Sequence, residues 1–69
     1  MKYTVEIVKA GTSITRECND LRNVSALLFK YFGTRPQFDP VILSQELSET
    51  GKFYYQPSMR SFARVTSGS

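Results

Sequence analysis

Few residues in this 69-residue chain have the type and spacing to do chemistry. Cys18 is its single thiol, and Glu46 and Glu49 stand three apart, so a helix would set both carboxylates on one side. A thiol attacks as its thiolate and needs a neighbouring base or a stabilising site, and the chain has no histidine to act as that base. Cys18 therefore reads as a small buried apolar residue, and the two glutamates read as a solvated helix face. Lack of histidine also removes the commonest metal ligand and the usual near-neutral proton switch. Zinc would need clustered Cys or His, and calcium a loop dense in Asp, whereas the six acids here are scattered. Glycines at 11, 33, 51 and 68 leave no phosphate loop or dinucleotide fingerprint. The expectation is a protein that is not an enzyme and takes no cofactor or metal.

Binding is what remains. Lys52 to Arg64 interleaves aromatic and basic residues, with Tyr54 flanked by Lys52, Arg60 and Arg64 and aided by Lys30 and Arg35. Aromatic rings that stack on bases, beside cations that neutralise phosphates, make the surface that holds single-stranded nucleic acid. The competing reading is that Phe53, Tyr55 and Phe62 complete a small core while the cations keep the outer face soluble. Tyr54 separates the two, because strand alternation sets it with Lys52 and Gln56, opposite Phe53 and Tyr55. A third surface is a free sheet edge on the strands at the chain ends, guarded by Lys2, Lys9 and Arg64, which could accept another protein's strand.

These groups must be carried by a small set of elements. Lys2 to Ala10 alternates as a half-buried strand, with Tyr3, Val5 and Ile7 on one face. Gly11-Thr12-Ser13 turns the chain, and Ile14 to Cys18 returns with Ile14 and Cys18 beside that face, where Arg16 fits badly. Asn19-Asp20 caps a helix over Leu21 to Phe32 whose apolar stripe is Leu21, Val24, Leu28 and Tyr31, widened by Leu27 and Phe32. Arg22, Ser25 and Lys30 fall outside the stripe, and Gly33 ends the helix.

Thr34 to Pro40 reads as a connection, since Pro36 and Pro40 lack amides. Asp39-Pro40 is a good helix start and Leu43 and Leu47 lie one turn apart, yet Val41-Ile42-Leu43 prefers strand. The balance favours a helix ending near Gly51. Phe53-Tyr54-Tyr55 and Met59 to Val65 then form a second hairpin about Gln56-Pro57-Ser58. The fold class is thus α+β, one domain over residues 1–66 in the order β-β-α-(α or β)-β-β, with a frayed tail at 67–69.

Composition agrees with a folded domain, 41% apolar and 22% charged, and a chain this short can build only one thin core. A secreted domain of this size would normally carry several disulfides, so the lone cysteine points to the cytoplasm, with no membrane-spanning run. The net charge is +3, and all six acids lie at or before Glu49, which leaves the last twenty residues purely basic. By elimination the chain is expected to be an intracellular protein-binding protein, a stoichiometric inhibitor or adaptor. A phage or mobile-element protein that blocks a host complex is one form this expectation takes. Nucleic-acid binding through the C-terminal hairpin is the alternative, and pairing with itself through a sheet edge is open to either.

Overall fold

In a computed structural model that describes residues 2–68, the chain folds as two β-hairpins joined through two helices. The order is β1 (Lys2–Lys9), β2 (Thr12–Cys18), α1 (Leu21–Phe32), a 3-10 turn (Pro36–Phe38), α2 (Pro40–Thr50), β3 (Lys52–Ser58) and β4 (Ser61–Gly68). The four strands form one antiparallel sheet in the order β2-β1-β4-β3. The strands at the two ends of the chain are therefore central, and the edges are β2 and β3. This corrects the expectation that Lys2, Lys9 and Arg64 guard a free edge, because all three sit on strands paired on both sides. β4 also includes Ser67 and Gly68, opposite Tyr3 and Lys2, where a frayed tail was expected. Only Ser69 of that tail lies outside the described residues.

Both helices lie on one side of the sheet. In register, Val65 opposes Val5 and Phe53, and Ala63 opposes Ile7 and Tyr55, so the apolar members of all three strands share one face. Val5, Ile7, Phe53, Ala63 and Val65 are buried there under Val24 and Leu28 of α1 and Leu43 of α2. α1 rests on β1 and β2, while α2 rests on β3. Arg16 does share this face, opposite Val5, but stays exposed because β2 is an edge.

Local signals explain where the helices begin and end. Asp20 accepts from the Arg22 amide and Asp39 from the Val41 amide, satisfying first-turn donors, and Pro40 follows Asp39 as the first helical residue. The helical reading of 40–50 thus prevails over the strand preference of Val41-Ile42-Leu43, and much of Val41 remains exposed. Gly51 closes α2 in the left-handed conformation. Lys9 reaches from β1 to donate to the Tyr31 carbonyl at 2.6 Å, placing a cation at the negative end of α1. Ser25, expected outside the stripe, is buried, since its spacing from Leu21, Leu28 and Phe29 carries it inward beside them.

The connection between the helices holds the largest fully buried side chain, Phe38. Its ring centroid lies 4.9 Å from Tyr55, 6.0 Å from Phe29, 6.2 Å from Phe53 and 6.3 Å from Phe32. These edge-to-face and tilted contacts join α1, β3 and the loop, each adding about 0.5–1.5 kcal/mol beyond simple burial. Pro36 and Pro40 bracket the turn and fix the backbone that delivers the ring inward.

Two stability predictions follow from this packing. Phe38→Ala should cost about 3–5 kcal/mol, comparable with a total of roughly 3–10 kcal/mol for a chain of this length, so circular dichroism at 37 °C should show a largely unfolded protein. Conversely, Ala10 holds φ 53° beside Gly11 at φ 85° in the first hairpin turn, a conformation that favours Asn-Gly. Ala10→Asn should raise the thermal midpoint by several degrees, on the order of 4–8 °C per kcal/mol gained.

Candidate functional site

Among the described residues no helix covers the second face of the sheet. Successive residues of a strand alternate between faces, so the registers define three rows across it. One row runs Lys52, Thr66, Thr4 and Glu17. The next runs Tyr54, Arg64, Glu6 and Thr15, and the third, nearer the hairpin turns, runs Phe62, Val8 and Ser13. Thr4, Glu6, Thr15, Lys52, Arg64 and Thr66 line a shallow, solvent-open recess of about 280 Å³ in the middle of this face.

The aromatic feature of the face is Tyr54 against Phe62. Their rings stack with centroids 5.6 Å apart and planes at 25°, and Tyr54 remains 52% exposed. The pair is diagonal, from edge strand to central strand, within reach of large rings. The Tyr54 hydroxyl donates to Gln56 Oε1 at 3.1 Å, which steadies the ring along β3. Phe62 was expected with Phe53 and Tyr55 in the core. Its register opposite Val8 instead turns it to the open face, while Phe53 is buried and Tyr55 packs beside Phe38. At the same end of the sheet the turns of both hairpins lie side by side, Ala10 and Gly11 next to Arg60 and Ser61, and Met59 is 95% exposed at the tip.

Charge is divided across the face. Lys52 and Arg64 stand on the β3-β4 half, and Glu6 and Glu17 on the β1-β2 half together with Lys2 at the end of β1, so the surface is mixed, more basic on one half and more acidic on the other. Arg64 forms an ion pair with Glu6 through Nη2 and Oε1. With the arginine half exposed, that pair contributes little to stability, but it neutralises the central cation of the face. Of the six cations and aromatics singled out in the sequence, Lys52, Tyr54 and Arg64 come together here. Arg60 lies at the hairpin tip, whereas Lys30 on α1 and Arg35 before the 3-10 turn belong to the helical layer behind the sheet. Lys30 Nζ lies 6.0 Å from the Tyr31 ring. Phe62 and Val8 were missed as surface residues, although alternation within each strand was the signal, setting Phe62 with Arg64 on β4 and Val8 with Thr4 and Glu6 on β1.

Among the described residues no group of three His, Cys, Asp or Glu side chains converges to hold a metal, and no helix is long and apolar enough to cross a membrane. Glu46 and Glu49 are exposed on α2. Cys18 is half-buried at the end of β2, and burial pushes its thiol pKa up, away from the reactive thiolate. Its alkylation by iodoacetamide near pH 8 should be slower in the native protein than in urea; equal rates would show that the fold does not protect it.

No protein-family model matches this chain, and comparison with curated proteins and with solved structures finds no match.

Proposed function

We propose that this chain is a non-catalytic protein-binding module, acting stoichiometrically as an inhibitor or adaptor, with the uncovered sheet face and adjacent hairpin tip as its contact surface. The observation that carries this reading is the stacked Tyr54-Phe62 pair on a face that no element covers. A tyrosine half exposed on a rigid strand offers contact area at little conformational cost, and Tyr, Phe, Met and Arg are enriched where interfaces bury their centres. Tyr54, Phe62, Met59 and Arg60 supply all four types on one hairpin. The polarised charges around them suit a partner with its own mixed pattern, carboxylates toward Lys52 and cations toward Glu17. The lone cysteine fits a reducing compartment, so we place this activity inside the cell.

Single-stranded nucleic acid is the second reading, favoured by the exposure of Tyr54 between Lys52 and Arg64 on one face. The acidic half of the face and the commitment of Arg64 to Glu6 weigh against it, because a polyanion would meet Glu6 and Glu17.

One pair of measurements separates the readings. The double variant Tyr54→Ala, Phe62→Ala should keep the native circular dichroism spectrum. In affinity capture from the native host it should lose, by about tenfold or more, a partner that the unaltered protein retains; equal retention overturns the protein-binding surface. Fluorescence anisotropy with labelled single-stranded RNA and DNA should show no saturable micromolar binding at about 50 mM salt. Binding that collapses at about 200 mM and is lost in Arg60→Ala with Arg64→Ala would instead establish the nucleic-acid reading.

A further inference from the structure

The two edges of the sheet are unlike. Along β3 the register with β4 shifts between Tyr55 and Ser58, and Pro57 inside that stretch has no amide to donate. Both features discourage a further strand from adding. β2 has neither. Thr12 to Cys18 pair with β1 in unbroken register, and no element lies beyond them in the sheet. Lys9 and Thr12 flank a two-residue turn and so form a hydrogen-bonded pair of the ladder. Alternation then directs the backbone groups of residues 12, 14, 16 and 18 toward β1 and leaves those of Ser13, Thr15 and Glu17 pointing outward.

We propose that this edge pairs with β2 of a second copy, antiparallel and centred on Thr15, joining two sheets into one. A strand that meets itself across a two-fold axis, with the helices kept on one side, must oppose residues of the same parity. Centring on Thr15 engages all seven residues of β2. It sets Thr15 against Thr15, Ser13 against Glu17, Ile14 against Arg16 and Thr12 against Cys18, with no like charges opposed. Moving the axis to residue 16 would set Arg16 against Arg16, and moving it to Ile14 would shorten the ladder. Arg16 is an inward-pointing cation on an edge, a feature that turns most strands away. In this register its aliphatic stem lies along Ile14 of the other copy.

Two further observations fit a second copy in particular. β2 carries one cation and one anion, Arg16 and Glu17, so its edge is neutral on a chain whose net charge is +3, and like molecules approach there with least repulsion. On the helix side of the same edge, a recess of about 230 Å³ is lined by Ile7, Lys9, Ala10, Thr12, Ile14 and Tyr31, and its exposed surface is apolar. The second copy's Arg16 stem and Cys18 face its rim. The pairing leaves Tyr54 at the far edge, so it stands or falls independently of the protein-binding reading.

Sedimentation equilibrium of the unaltered protein from about 1 µM to 1 mM tests it. The expected result is a rise from 7.9 kDa to twice that mass. Thr15→Lys, which opposes two ammonium groups at the axis while altering only an exposed side chain, should raise the dissociation constant at least about tenfold and leave the thermal melt in place at concentrations too low for the unaltered protein to dimerise. For the register, Thr15→Cys in a Cys18→Ser background should form an interchain disulfide under mild oxidation, its Cα atoms lying about 5.5 Å apart. Ser13→Cys in the same background should not, since the two positions would be about 13 Å apart along the strands. A monomer at the highest concentration, a dimer indifferent to Thr15→Lys, or equal crosslinking at 13 and 15 overturns the proposal.

Discussion

Everything in this fold depends on the pairing of β1 with β4. A two-stranded hairpin is at best marginally stable in water, and the chain contains two of them. Joining them through Val5-Val65 and Ile7-Ala63 makes a four-stranded sheet with one continuous apolar face, wide enough for two helices to cover. That same pairing decides what is left uncovered. It puts the terminal strands in the middle, the returning strands at the rims, and every even-numbered side chain of β1 and β4 on the opposite face. The exposure of the Tyr54-Phe62 pair and the availability of the β2 edge are both consequences of one ladder.

Phe38 is the complement of that ladder on the helical side. A 69-residue chain builds only a thin core. The connection supplies part of its volume, with one ring touching aromatics from α1 and β3. The core is consequently lopsided. Its aromatic side gathers around Phe38, while at β2 Ile14 and Cys18 are only partly buried, with Tyr31 of α1 beside Ile14.

Much of this was legible in the residues, and the limits of that reading are physical. Local rules sufficed for α1 with its Asp20 cap, for α2, where Asp39-Pro40 outweighs the strand preference of Val41-Ile42-Leu43, and for the existence of the first hairpin, though its turn closes at Ala10-Gly11 and not over Gly11-Thr12-Ser13. Long-range pairing was not accessible in the same way. Nothing local to β4 says that it lies beside β1, so the edges were assigned to the wrong strands; the face of Phe62, by contrast, was legible from its parity with Arg64. Phe38 was overlooked because the prolines around it read as a loop, although a large aromatic between two prolines in an otherwise polar stretch is itself a sign of an anchored turn. Of the binding residues, Lys52, Tyr54 and Arg64 could be grouped by strand parity alone. Lys30 and Arg35 could not be excluded without knowing which side of the sheet the helices take.

The central position of the last strand also bears on how the molecule comes into being. β4 closes the sheet from the opposite end of the chain, so its partners in β1 are synthesised first and wait longest. Until residues 61–68 are available, Val5 and Ile7 face no neighbour on one side, and the hairpin of β1 and β2 exposes two edges instead of one. The β1-β4 ladder joins residues far apart in sequence, unlike the two hairpins, so its closure carries the largest loop-closure cost and is the slow part of assembly. The surface that the finished protein presents to its surroundings is then assembled in the final step, when the C-terminal strand slots into the middle.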